Sequence, residues 1–150
     1  MLHHNITPGA AAWPRMVLHV RLEAFFATLA QRDHAHLRGR PVLVAGRGAV
    51  GGCSREAYAA GVRDGMALGK ALARCPAALV IAPEPDRWRE VHGQLRAVWE
   101  RHAARYDAPR PNEAKLFLPT GLGTAPDEVA LAVQADVLAT TGLRCAVGVA

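Results

Sequence analysis

The chain has 150 residues, 51% of them hydrophobic, which is enough for one ordinary core or two closely joined subdomains. Eighteen basic against 13 acidic residues give a formal charge of +5 and a pI near 9.7, a balance that suits a polyanionic partner without requiring one. Sixteen of those 18 are arginine in an alanine-rich chain, a pattern that GC-rich coding also produces, so the charge by itself carries little weight. Cys53, Cys75 and Cys145 are odd in number and lack metal-ligand spacing, which excludes a zinc site and predicts free thiols in a reducing compartment. No run approaches the roughly 18 apolar residues of a membrane span. Residues 1–15 lack the basic start and apolar centre of a signal peptide, so the expected location is the cytoplasm. His3, His4, His34 and His36 read as surface residues.

Residues 1–15, with Pro8, Gly9 and Pro14, have no sustained period and read as an N-terminal extension whose Trp13 is available to dock on the body. Residues 16–26 combine a β-branched apolar run with the head of an Ala/Leu/Phe helix, so a strand over 17–20 delivers Arg21 and Glu23 to the start of a helix over 23–31. Phe25, Phe26 and Leu29 share a flank of that helix, as core residues do. Pro41 opens a second buried strand over 41–45. The four glycines and Arg47 of residues 46–52 predict a flexible connecting loop without P-loop spacing. Short helices over 55–60, stopped by Gly61, and over 68–74 precede a third strand over 79–81.

Asp86 is placed as the N-cap of the longest helix, running to about Ala104. Its apolar face is Trp88, Val91, Leu95, Val98, Trp99 and His102, and its arginines form a basic outer surface. A hairpin over 105–108 and 114–118 carries residues 109–113 at its tip. Asp127 is expected to cap a helix over 128–140 that ends at Gly142, and a strand over 144–150 closes the chain. Ending inside a strand reads as a domain that continues beyond Ala150.

Strand and helix, inserted lobe, long helix, hairpin, helix and strand is the order of a polymerase palm with inserted fingers. Several separated blocks carry a specific resemblance. These are Leu18-His19-Val20 with Phe25-Phe26; Leu37-Arg38-Gly39-Arg40-Pro41-Val42-Leu43-Val44; Ser54-x-Glu56-Ala57 with Gly61-Val62-Arg63-x-Gly65-Met66; Cys75-Pro76; Asn112-Glu113-Ala114; and Gly142-Leu143 with Val147-Gly148-Val149-Ala150. In this order they resemble the N-terminal half of Y-family translesion DNA polymerases of the DinB and UmuC type.

The resemblance implies an α+β fold, a polymerase palm with a mixed, mostly antiparallel sheet and helices packed on one face. It divides the chain into an extension over 1–15, palm over 16–31, fingers over 32–81 and palm again over 82–150, with thumb and little finger absent. It further implies two Mg2+ ions held by three carboxylates, because two cations about 3.5–4 Å apart need several anionic oxygens.

At those three positions this chain has Arg21, Asn112 and Glu113, whose formal charges cancel, so no metal cofactor is expected and Glu113 is a relic of the site. Glu23 stands where the family has a further Asp that does not bridge the metals. Phe26 falls at the family's sugar-discriminating aromatic, and Arg55 and Tyr58 occupy the triphosphate-binding helix in inverted order. Lys115 and Arg110 replace a Tyr and a Ser beside the hairpin acids. Arg21 is expected to pair with Glu113 across strand and hairpin, and such a pair, if buried, is worth about 3–5 kcal/mol to break.

The function implied is a non-catalytic, ImuB-like accessory in translesion synthesis and DNA repair. Its expected partners are DNA, held weakly and without sequence preference, and a replicative-type polymerase and sliding clamp reached through C-terminal parts. Two alternatives remain: a residually active metal-dependent nucleotidyltransferase using Glu113 and Glu23, and a truncated remnant without function.

Overall fold

The computed structural model describes residues 16–119 and 123–150, so the N-terminal extension and Trp13 lie outside the described residues. The described chain runs β1 (Val17–Arg21), α1 (Phe25–Asp33), a 3-10 turn (Ala35–Leu37), β2 (Val42–Gly46), β3 (Ala49–Cys53), α2 (Arg55–Ala59), α3 (Leu68–Arg74), β4 (Leu79–Ile81), α4 (Pro85–His102), β5 (Arg105–Arg110), β6 (Glu113–Phe117), α5 (Pro126–Thr141) and β7 (Ala146–Val149). The described residues divide into two compact units, one of residues 16–21, 94–119 and 123–150 and the other of Leu22–Gly93. The α+β class is as expected.

The first unit is built on a four-stranded sheet in the order β5-β6-β1-β7, antiparallel throughout. Strand alternation turns Leu18 and Val20 inward opposite Leu116 and Ala114, and all four are buried. Helix α5 lies against β7 and buries Ala130, Val133, Val137 and Thr141. Leu95, Val98 and Trp99 of α4 are buried as their helical spacing predicts. Asp127 is not the cap of α5: the helix starts one residue earlier, at Pro126, after Ala125, and Asp127 sits in the first turn, where its charge meets the helix dipole. Similarly, α4 starts at Pro85 and takes Asp86 into its first turn. Gly142 ends α5 in the left-handed region at φ 71° and donates to the Leu138 carbonyl at 2.8 Å. The hairpin is tighter than expected. Strand β5 extends through Pro109 to Arg110, with the register shifting between Asp107 and Arg110, as a proline without an N–H requires.

The second unit holds a three-stranded sheet, β3-β2-β4, with β2 antiparallel to β3 and parallel to β4. Val42, Leu43 and Val44 are all buried because both faces of β2 are covered. Leu43 joins Val50, Ala57, Val62 and Ala71 on one side; Val42 and Val44 meet Ala27, Ala30 and Leu37 on the other. Helix α1 packs onto that second face and belongs with it to the unit of residues 22–93.

The predicted loop over 46–52 is instead a β-hairpin. Arg47 and Gly48 have consecutive positive φ values of 56° and 78°, the two-residue turn that matches strand twist. Gly52 pairs with Val44 in the ladder, and glycine stands there because a Cβ would meet the Phe26 ring at 3.2 Å. Ser54 holds the next corner: its hydroxyl accepts from the Val42 and Ala57 amides at 2.9 and 3.4 Å and caps α2. Cys53 and Cys75 are buried and Cys145 half-buried, all as free thiols.

Candidate functional site

The residues singled out by the sequence fall into two sets, one in each unit. In the first unit the pairing register decides the geometry. Arg21 lies directly opposite Glu113, which on its other side faces Arg110, and one row along, His19 lies opposite Lys115, which faces Asp107. All six point away from the buried Leu18, Val20, Ala114 and Leu116, so they form one outward face of the sheet. Asn112 is half-buried in the turn that joins β5 to β6.

The cross-strand juxtaposition of Arg21 and Glu113 is therefore real, but among the described residues the ion pair expected from it is not formed. Arg21 is exposed, and among the described residues the ion pair of Glu113 is with Arg110, at 3.9 Å, with side chains 35% and 71% exposed. A strand-end arginine on the open face extends toward water, where its charge is solvated, instead of folding back onto a half-exposed carboxylate.

This donor set does not fit a pair of magnesium ions. A hard dication takes oxygen ligands, several of them anionic, whereas Arg21 brings a guanidinium, Asn112 a neutral amide and Glu113 a single carboxylate already facing two arginines. Among the described residues no three His, Cys, Asp or Glu side chains converge on a common point.

In the second unit, the turn into α1 passes through Ala24 in the left-handed region at φ 50°, a conformation that costs a non-glycine residue about 1–2 kcal/mol. Phe25 is buried, but Phe26 is only half so. Its ring packs on Trp88 at 4.2 Å and edge-on to Phe25 at 5.3 Å. It borders an open cleft of about 400 Å³ whose other walls include Val44, Gly46, Arg47, Val50 and Trp88. Arg55 lies 4.0 Å from Glu23, with both side chains largely exposed. Tyr58 does not present a free ring: Arg63 covers it at 3.6 Å while donating to the Tyr58 and Val62 carbonyls at 2.9 and 2.7 Å. In the sequence Arg63 stands only within the Gly61-Val62-Arg63 block, with no role attached to it, and the signal for one is modest: an arginine just past the Gly61 stop, five residues after the tyrosine.

Two ionic anchors were likewise missed, because Arg87 and Arg101 read as solvated surface. Arg87 reaches across the second unit to Asp33 at 2.7 Å, and its hydrogen bond holds the Asp33 carboxyl below its ordinary pKa despite partial burial. In the first unit Arg101 and His102 converge on Asp136, both at 2.8 Å. The hydrogen bond from Arg101 overcomes burial, and with His102 and Thr140 assisting, Asp136 is brought down to about 2.

The first unit's sheet gathers the strand-end and hairpin residues on its outward face, and the second unit carries an aromatic cleft and a capped short helix, the parts that the resemblance to a polymerase palm and fingers implies. Comparison with known proteins agrees: the impB/mucB/samB family model matches residues 20–150. The chain belongs to that family, the Y-family DNA polymerase-like proteins of DNA damage tolerance. It is 37% identical over 141 residues to DNA polymerase IV of Shewanella pealeana, covering 89% of this chain and 39% of that protein. It is also 37% identical over 144 residues to DNA polymerase IV of Methanoculleus marisnigri, covering 91% and 40%. The chain thus spans about two fifths of the length of these relatives.

Among solved structures, a Dbh ternary complex superposes with TM-score 0.84 at 24% identity, covering 90% of this chain and 41% of that one. DinB from Sulfolobus solfataricus superposes with TM-score 0.82 at 22% identity, covering 90% and 42%. These likenesses concern the fold. Among the described residues no helix is long and apolar enough to cross a membrane.

Proposed function

We propose that this chain is the palm and fingers portion of a non-catalytic Y-family protein that works on DNA as an accessory to an active polymerase during translesion synthesis. In this reading residues 16–31 and 82–150 make the palm and residues 32–81 the fingers. The observation that carries the reading is the row Arg21, Glu113, Arg110 at the strand ends: where two metal ions need anionic oxygen, one carboxylate stands between two cations. Nucleotidyl transfer by two metals has no ligand set there. A polymerase that keeps the palm but not its metals retains shape and DNA affinity, which is what an accessory uses. In this reading the sliding clamp and the catalytic polymerase are engaged by C-terminal parts, and the protein works in the cytoplasm.

Manganese binding tests it, measured by calorimetry and thermal shift on the chain beside its Arg21→Asp/Asn112→Asp double variant. Binding by the variant alone is expected. A manganese-dependent heat and stabilisation in the unaltered chain would overturn the reading in favour of residual nucleotidyl transfer through Glu113.

A further inference from the structure

The outward face of the first unit's sheet has the opposite sign from a metal site. It carries Arg21, Lys115, Arg110 and Arg105 against Asp107 and Glu113, with His19 beside them. Two of the cations are already engaged: Arg110 by Glu113 at 3.9 Å, and Arg105 by the Phe117 ring at 4.4 Å. Arg21 and Lys115 are exposed and, among the described residues, form no ion pair; Asp107, although opposite Lys115 in register, makes none with it. His19 pairs with Lys115 in register, so Arg21, two residues along β1, is the diagonal neighbour of Lys115, about 7 Å away.

On the far side of Arg21 and His19 the sheet is floored by Ala146 and Gly148 of β7, and a Cβ added at Gly148 would meet nothing within 4 Å. Two uncommitted cations about one diagonal apart therefore stand above a shallow strip of small residues open to water. A guanidinium fork and an ammonium bind phosphate oxygens directly through charge-assisted hydrogen bonds. Their separation suits two neighbouring phosphates of one strand better than a single ion.

We propose that this face is an anion site that takes nucleic-acid phosphates directly through Arg21 and Lys115, without a divalent metal ion. The inference rests on the reading that this unit faces DNA. It adds the ligand chemistry and a reversal of metal dependence: Mg2+, which binds phosphates itself, competes with the site instead of completing it.

The test is fluorescence anisotropy of a short labelled single-stranded oligonucleotide with the 150-residue chain, in EDTA and then with added Mg2+, across a salt series. Arg21→Gln/Lys115→Gln is compared with Lys70→Gln/Arg89→Gln, which removes the same charge from exposed positions on helices α3 and α4. All variants are first checked for native circular dichroism. Binding is expected to persist in EDTA and weaken with Mg2+. The face variant should lose about tenfold in affinity and lower the slope of log K against log salt by about 1.4, for two phosphate contacts on a single strand. The control should change by less than about twofold.

Binding abolished by EDTA, or an equal loss in face and control variants, would overturn the site. Pyrophosphate binding read by calorimetry and lost in Arg21→Gln/Lys115→Gln, with no oligonucleotide binding by anisotropy, would overturn the nucleic-acid assignment in favour of a free polyphosphate. Manganese calorimetry reports on the non-catalytic reading separately, so each idea can fail without the other.

Discussion

Replacing Glu113 by alanine separates a surface charge arrangement from a buried ion pair. Glu113 is 35% exposed, its ion pair with Arg110 spans 3.9 Å to a side chain 71% exposed, and Arg21 faces it across the strand from an exposed position. Two unit charges at that distance attract by about 1 kcal/mol in water-like surroundings, and the entropy of holding two long side chains takes part of that back. The cross-strand contribution of Arg21 adds about 0.2–1 kcal/mol. The expected loss is therefore about 0.5–1.5 kcal/mol, a fall in melting temperature of roughly 2–5 °C for a chain of this size.

Urea denaturation followed by tryptophan fluorescence, with circular dichroism in parallel, measures it at low salt and again near 0.5 M, about three times physiological ionic strength. Exposed charges are screened over about a Debye length, so the loss should shrink to a few tenths of a kcal/mol in the high-salt series. A loss of about 3 kcal/mol or more that salt does not change is the behaviour of a buried pair, and it would refute the geometry derived for this face.

Two further outcomes follow from the same structure. Asp136, held near 2 chiefly by its Arg101 hydrogen bond, contributes stability that is fully present above the ordinary carboxylate pKa and is lost as pH falls from about 4 toward 2. Asp136→Asn should cost about 1–2 kcal/mol at pH 7, since Arg101 is half exposed, and the gap from the parent should close in acid-unfolding curves near pH 2. Gly52→Ala places a methyl 3.2 Å from a Phe26 ring that Trp88 backs at 4.2 Å, so it should destabilise by about 1–3 kcal/mol in thermal unfolding. Adding Phe26→Leu should make the alanine nearly neutral, and an unchanged penalty in that background would mean the ring is not what excludes the side chain.

Much of the element list is legible in sequence because its signals are local. Pro14 and a β-branched run announce β1, Gly61 and Gly142 stop helices, and the spacing of Val91, Leu95, Val98 and Trp99 defines the buried stripe of α4. Residues 46–53 fail for a physical reason. Glycine in a strand erases the period-2 pattern, and Gly52 is required there by a phenylalanine 26 residues earlier in the chain. The displaced cap at Asp127 is a smaller case of the same kind: proline at the first helical position outweighs an acidic side chain one residue on.

The identities of Arg21, Asn112 and Glu113, and hence the loss of two carboxylates, stand in the sequence alone, since formal charge does not depend on conformation. The strand register, by contrast, is a tertiary fact. It brings residues 21, 110 and 113 into one row and 19, 107 and 115 into the next, and only then can Arg110 take Glu113 and leave Arg21 in water. The anchors Arg87 to Asp33 and Arg101 to Asp136 join residues 54 and 35 apart, so no local pattern announces them. Composition and periodicity determined which residues are available and which segments become helix or strand. The folded chain decided which charges are partnered and which stand free, because a pair's energy depends on distance and exposure, and both are set by contacts between segments remote in sequence.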